Sequence, residues 1–282
     1  MIHPTSIQGI TLQKSFKEVQ VQVKREKPLI HCLTNNISIN ECANGVLALG
    51  GKPIMAEHPR EVEEITATAK ALALNLGNIT DSRMEAMRLS AKVAYEKGIP
   101  SIIDVVGVGC SKLRKDYAKE LIKNYKPSAI KGNMSELKAL WEVPSHGTGI
   151  DVGKADEITE DNLEEGLALL QALSANTGAI IVATGPIDLV VYKEERYALY
   201  NGCEELAKLT GTGCMLNVLI ATFLSTGKLL EATLLATLML GIAGELSRQA
   251  KGNGSFRVAL LDSLCTLTSE AILAYAKVKP YC

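Results

Sequence analysis

"PSIIDVVGVGCSKLRKDYAKELIKNYKPSAIKGN", residues 100–133, decides the fold. Residues 100–106 form an apolar, β-branched run that predicts a strand. Residues 111–125 repeat apolar side chains at helical spacing, and 128–133 open a second short β-rich run. Two strands joined through a helix of this length run parallel, because the chain has been carried back to the end of the sheet where it started. The same rhythm extends outward on both sides. Strands are predicted at 29–33, 53–56, 71–77 and 179–184, and helices at 38–49, 59–69, 80–97 and 160–176. This pattern predicts an α/β fold, a mostly parallel central sheet with helices on both faces. Residues 179–202 break the rhythm with a strand, a turn at Gly185-Pro186 and a hairpin about Glu194-Glu195. From 213 the chain turns helical, and segments at 213–225, 229–250 and 257–276 are expected to cover one face. No Pro/Ser linker, charge block or repeat divides the sequence, so residues 1–282 are expected to form one domain, with a long glycine-bearing loop at 142–158.

The composition limits the partners. Hydrophobic residues make up 47%, charged residues 22%, and the formal net charge is -1, which argues against nucleic acid or an anionic membrane and for a small-molecule ligand. The seven cysteines are odd in number and lack C-x-x-C spacing, so neither a disulfide framework nor a zinc site is indicated, and a reducing cytoplasm fits. The first 27 residues lack an apolar signal core and predict a short amphipathic helix. Residues 209–227 are uncharged for long enough to span a bilayer, but their glycines, hydroxyls and amide predict a buried core helix.

In open α/β sheets ligands bind beyond the carboxyl ends of the strands, so the residues following each apolar run are informative. They are Thr34, Asn35 and Asn36; Met55; Asn75 and Asn78; Asp104; Lys131 and Asn133; and Thr184. Singly, Asn and Thr at such places are turn or cap residues; together they are expected to line one rim. Asp104 stands in an otherwise apolar β-run, where a carboxylate is costly unless a cation, donor or proton satisfies it. "KGNMSE" adds Lys131, Asn133 and Glu136. A cation and acids at one rim suit a metal-bound polyphosphate; the bland alternative is a helix cap with a surface charge pair. "LTGTGCMLNVLIATFL" (209–224) places Gly211 and Gly213 before a helix whose unpaired N–H groups could receive an anion, with Cys214 in its first turn. There is no G-x-x-x-x-G-K-[ST], and "GVGCSK" carries only two glycines of a dinucleotide fingerprint. The histidines (3, 31, 58 and 146) show no metal-ligand spacing, and His31, within a strand, reads as structural.

With Asp104, "NMSE" and "TGTGC" in that order on a βα framework, the sequence resembles the ribokinase-like kinases, and within them the hydroxyethylthiazole kinase family of thiamine salvage. The resemblance spans about residues 28–275, carried by "PLIHCLTNNISINECANGVLALGGKPIMAE", "LTGTGCML" and "GNGSFRVALLDSL". It implies phosphorylation of the hydroxyl of 4-methyl-5-(2-hydroxyethyl)thiazole, with ATP as co-substrate and Mg²⁺ as cofactor. It further implies that Asn35 and Met55 help form the thiazole pocket and that Gly211 lies against the substrate. Lys131 and Thr184 would contact ATP, Asp104 and Glu136 would organise Mg²⁺, and Cys214 would be the catalytic base. A homotrimer with active sites completed at subunit interfaces is also implied. Two departures stand out: Lys131 occupies a position where the family usually has Arg, and "DVVG" stands where it usually has D-P-V-G. Alternatives from other classes are an acyl-transfer enzyme with Cys214 as nucleophile and a non-catalytic vitamin-precursor sensor. The nearest alternative kinases act on hydroxymethylpyrimidine or pyridoxal.

Overall fold

The computed structural model describes residues 7–147, 153 and 155–281; parts of the 142–158 loop, His3 and Cys282 fall outside them. The elements run α1 (Ile7–Glu26), β1 (Leu29–Leu33), α2 (Ile39–Ala48), β2 (Lys52–Ile54), α3 (Val62–Thr68), β3 (Ala71–Asn75) and α4 (Asp81–Lys97). There follow β4 (Ser101–Asp104), α5 (Lys112–Tyr125), β5 (Ala129–Asn133), α6 (Met134–Leu140), α7 (Leu163–Thr177) and β6 (Ile180–Thr184). The chain closes with β7 (Asp188–Tyr192), β8 (Glu195–Leu199), α8 (Glu204–Ala207), α9 (Thr212–Leu224), α10 (Leu229–Leu246), α11 (Asn253–Thr266), α12 (Ser269–Tyr275) and β9 (Val278–Tyr281).

The strands form one sheet in the order β2-β1-β3-β4-β5-β6-β7-β8-β9, parallel from β2 through β6 and antiparallel beyond. Both faces are buried, and alternate residues serve opposite cores. Ile30, Cys32, Ala71, Ala73, Ile102 and Ala129 join the core under α1, α2 and α9–α12, whereas Leu33, Leu72, Leu74, Ile103 and Ile130 join the core under α3–α7. The single handedness of β-α-β crossovers explains the division. The step from β1 to β2 runs opposite to the steps from β3 to β6, so its helix α2 lies on the opposite face from α4 and α5.

The predicted elements are present; the short helices α6 and α8 are additional, and three further differences stand out. The segment expected as one helix over 257–276 is two helices bent by 118°, because Thr268 leaves helical conformation and its hydroxyl caps α12 by accepting from Ala271 N at 3.2 Å. Strand β9 adds an antiparallel edge that "VKPY" does not signal, Pro280 being tolerated there because the outer side of the strand needs no donor. The amphipathic start is a 20-residue helix, longer than expected. Helix α10 is apolar and long enough to cross a membrane, but most of it is buried inside the protein, as expected of a core helix. His31 is likewise structural: Nε2 donates to Ala56 O at 2.9 Å, which leaves Nδ1 to accept from the Thr66 hydroxyl at 2.8 Å.

Candidate active site

The strand order reverses at β1, whose successor lies on one side of it and β3 on the other. The gap beyond the carboxyl ends of β1 and β3 is the place where an open α/β sheet binds ligand. Register then sets the chemistry. Asn75 pairs with Asp104 and Asp104 with Lys131, so the three stand abreast on adjacent strands; Asn133 and Thr184 are paired one step outward. Each lies two residues beyond an α9-side core residue (Ala73, Ile102 and Ala129), so their side chains emerge on the face that α9 covers.

Lys131 Nζ lies 2.9 Å from Asp104 Oδ2, with both side chains almost fully buried. The same oxygen accepts from Asn75 Nδ2 at 3.1 Å. Burial pushes the Asp104 carboxyl up, and Lys131 pulls it back. Burial also opposes a charged Lys131, but the Asp104 carboxylate outweighs it and holds the ammonium above the usual lysine range. The pair is therefore a buried ion pair, not the surface charge pair of the bland alternative.

Cys214 faces this row from the first turn of α9. Its sulfur accepts from Asn35 Nδ2 at 3.1 Å and Asn75 Nδ2 at 3.4 Å. Asn35 Oδ1 receives Ser38 N and Oγ and Ile37 N at 3.0–3.1 Å, and Asn75 Oδ1 receives Gly77 N at 2.9 Å, so both amides have their oxygens turned to donors and their nitrogens to the thiol. Burial, and then the Asp104 charge, raise the Cys214 thiol above its usual range. Gly211 begins α9 at φ 95°, and a Cβ there would meet Ser38 Cβ at 2.9 Å, so both conformation and space call for glycine. The residue's place is thus fixed beside Ser38 and Asn35. Gly213 in the same turn lies toward Lys131, whose Nζ would be 3.8 Å from a Cβ on it, so an ammonium and a helix N-terminus converge.

Glu136 closes the other end. Asn133 Oδ1 accepts from Glu136 N and Glu136 Oε2 accepts from Asn133 N, both at 2.8 Å, while Oε1 accepts from Gly107 N at 2.8 Å. The cap reading is therefore correct for this pair, and the carboxylate is buried as well. Burial and then the Asp104 charge push Glu136 up to about 7, against the backbone donors and Lys131. Two carboxyl groups beside one ammonium leave this half of the rim with negative charge in excess whenever Glu136 is ionised. Thr184 is half-buried at the end of β6, its hydroxyl 3.5 Å from Gly132 O, and Met55 is half-buried beyond β2. Among the described residues no group of three or more His, Cys, Asp or Glu side chains is arranged around a metal position.

Three contributors escape sequence reasoning. Ser38 orients Asn35. Asn217 Nδ2, one turn beyond Cys214, donates to Leu74 O at 3.0 Å and ties α9 to β3. Arg83, buried at the start of α4, donates to main-chain carbonyls of the rim loops. A lone amide inside "CMLNVLIATFL" is a signal that could have found Asn217; nothing in "DSRMEAMR" singles out Arg83.

The doubly cored sheet and the site beyond its switch point define a ribokinase-like architecture. A solved ribokinase-like superfamily protein from Enterococcus faecalis V583 shares this fold, with a TM-score of 0.61, 14% identity and coverage of 88% of this chain and 93% of its own. The chain belongs to the hydroxyethylthiazole kinase family, whose model matches residues 21–270. It is 51% identical over 264 residues to "Hydroxyethylthiazole kinase 2" of Clostridium botulinum (strain Langeland), covering 94% of this chain and all of that one. The solved hydroxyethylthiazole kinase of Pyrococcus horikoshii OT3 is similar to it with a TM-score of 0.85 and 32% identity, over 95% of this chain and 99% of that one.

Proposed function

We propose that this protein, as one kinase domain over residues 1–282, transfers the γ-phosphoryl group of ATP to the hydroxyl of 4-methyl-5-(2-hydroxyethyl)thiazole. The observation that carries the reading is the buried Lys131–Asp104 pair at the N-terminus of α9, beside a thiol held by two asparagine amides. Asn35, Met55 and Gly211 border the neutral acceptor, and Lys131 and Thr184 meet the nucleotide. The alcohol oxygen bonds to the γ-phosphorus as the bond to the bridging oxygen breaks, releasing ADP. The N–H groups at the start of α9 and the Lys131 ammonium take up charge on the transferring group. The hydroxyl proton passes to Cys214. With its pKa raised above the usual range Cys214 is mainly the protonated thiol, so only its small thiolate fraction accepts that proton, which suits a loose transition state in which the proton leaves late.

The donor set fits Mg²⁺: hard carboxylate oxygens of Asp104 and Glu136, with negative charge in excess of Lys131, are suited to hold an ion that also binds phosphates through water. When bound, the ion would neutralise phosphate charge. The trimer is part of the proposal too. Ile37, just past Asn35, is 65% exposed and Val258 on α11 is 60% exposed. Arg257, next to Val258 in sequence, joins α11 to α2 by bonding Asn40 Oδ1 at 3.0 Å and Glu41 Oε1 at 2.6 Å. An apolar surface so near the rim is suited to a second copy of the chain.

The test is phosphorylation of a panel of alcohols by purified protein with ATP and Mg²⁺. The thiazole alcohol should be the best acceptor; hydroxymethylpyrimidine or pyridoxal turned over in its place would overturn the reading. Cys214→Ala should lose about 100-fold in kcat, the low end of general-base effects, and Cys214→Asp should stay active. Complete inactivity of folded Cys214→Ala, with a phospho- or acyl-cysteine found by mass spectrometry during turnover, would make the thiol a nucleophile instead.

A further inference from the structure

Arg83 has no evident reason to be where it is. Its side chain is 4% exposed, and it stands in the first turn of α4, where the helix dipole disfavours a cation. Burial lowers its pKa, and Glu57, itself 43% exposed, is the carboxylate near it, 3.4 Å from Nε without hydrogen-bond geometry. An apolar side chain would cost less at such a site unless the guanidinium's fixed fork is itself needed. Its partners show what the fork does. Nη1 donates to Gly77 O at 3.1 Å and Asn78 O at 2.7 Å, in the loop after β3, and Nη2 donates to Thr34 O, at the end of β1. Nε faces Glu57, two residues past Met55 in the loop after β2. One planar group thus hydrogen-bonds the loops after β1 and β3 and ion-pairs with the loop after β2.

These are the loops of one half of the site. Thr34 precedes Asn35, Gly77 N binds the Asn75 amide oxygen, and Glu57 lies in the same loop as Met55. A Cβ on Gly77 would lie 2.8 Å from Asn75 Oδ1 and 3.0 Å from Asn35 Nδ2, so a small displacement of this loop moves both amides. Among the described residues no hydrogen bond or ion pair joins Arg83 directly to Asp104, Lys131, Glu136 or Thr184; Asn75, which also donates to Asp104 Oδ2, is an indirect link. We propose that Arg83 is a positioning residue for the acceptor alcohol alone: its guanidinium sets the spacing of the β1, β2 and β3 loops, and hence the fit of the neutral heterocycle, without acting on the nucleotide. This inference rests on the alcohol-kinase reading above.

The experiment compares steady-state kinetics of Arg83→Lys and Arg83→Met with those of the unaltered protein, varying the thiazole alcohol and ATP separately. Arg83→Met should raise KM for the alcohol about 10- to 100-fold, the range for losing charge-assisted hydrogen bonds to several carbonyls, while KM for ATP stays within about twofold. Arg83→Lys should be intermediate, and added guanidinium ion should partly restore Arg83→Met. A parallel rise in both KM values, or a change in kcat alone, overturns the inference. Should both variants fail to fold, the surface change Glu57→Gln decides: alcohol KM up about two- to threefold with ATP unaffected supports it, and no change refutes it. If the unaltered protein does not phosphorylate the alcohol, the kinase reading fails instead, so the two failures are distinct.

Discussion

The two halves of the rim solve different electrostatic problems. At β1 and β3 the polar groups are neutral amides, Asn35 and Asn75, aimed at a thiol; at β4, β5 and the start of α6 they are ionisable, Asp104, Lys131 and Glu136. A neutral heterocyclic alcohol needs directional donors and acceptors, whereas a polyphosphate needs charge. The supports differ in the same sense. The neutral half rests on a buried cation that binds carbonyls, Arg83. The charged half rests on a buried anion, Asp156, which accepts from Ser135 Oγ at 2.6 Å, Lys138 Nζ at 2.8 Å and His146 N at 2.6 Å, and so braces α6 behind Glu136.

If the halves are separable, damage to one should leave the other's ligand alone. The largest effect is expected from Lys131→Met. It strands Asp104 as an unpaired buried charge, which costs about 3–5 kcal/mol of stability and should abolish measurable phosphoryl transfer. Denaturant unfolding reads the first, and calorimetric titration of the folded fraction should show the alcohol still binding. Loss of alcohol binding without loss of fold would break the division. Next, Asn35→Ala should raise KM for the alcohol about tenfold or more, since it removes a donor to Cys214 and leaves Ser38 and the Ile37 N–H without their acceptor. ATP KM should hold steady; if it moves equally, the halves are one unit.

The smallest effect is a pH dependence. Burial alone would raise Asp156, but Lys138, Ser135 and His146 outweigh it and hold the carboxyl below the usual aspartate range. A depressed carboxyl contributes stability above its unfolded pKa of about 3.9, and that contribution is lost as pH falls through the folded value. Asp156→Asn should therefore lower stability by about 1.5–2 kcal/mol near neutral pH, and the gap should close in acid. Unfolding curves at pH 7 and below pH 4 check this; a gap that persists in acid would assign the loss to packing.

Much of this is legible in the sequence. Apolar runs ending in polar residues gave the strands and the rim, because a strand buried on both faces has to be apolar until it emerges. Asp104 stood out for the same reason. Less was legible where the physics is long-range. Asn217 acts through a main-chain carbonyl of strand β3 and Arg83 through carbonyls of the loops after β1 and β3, and no local pattern encodes a carbonyl's position. Strand β9 is short and carries Lys279 and Pro280, and it exists only because the β7–β8 hairpin offers it an edge. Glu136 is at once a helix cap and a buried acid, so the two readings of "NMSE" are not exclusive.

The two helical layers also differ in when they become available. Helices α3–α7, which cover one face, are threaded between the strands and emerge from synthesis with them. The opposite face is roofed by α1 and α2 from the beginning of the chain and by α9–α12 from its end. Until residues past 212 have been made, Ile102, Ala129, Ile180 and their neighbours face water as an uncovered apolar floor, a sticky surface of the kind that chaperones shield. Cys214 arrives with that late roof. A chain ending before residue 212 has the asparagines, Asp104 and Lys131 in its sequence but no thiol to set opposite them, and the docking that hides the apolar floor is the same event that brings Cys214 to the rim.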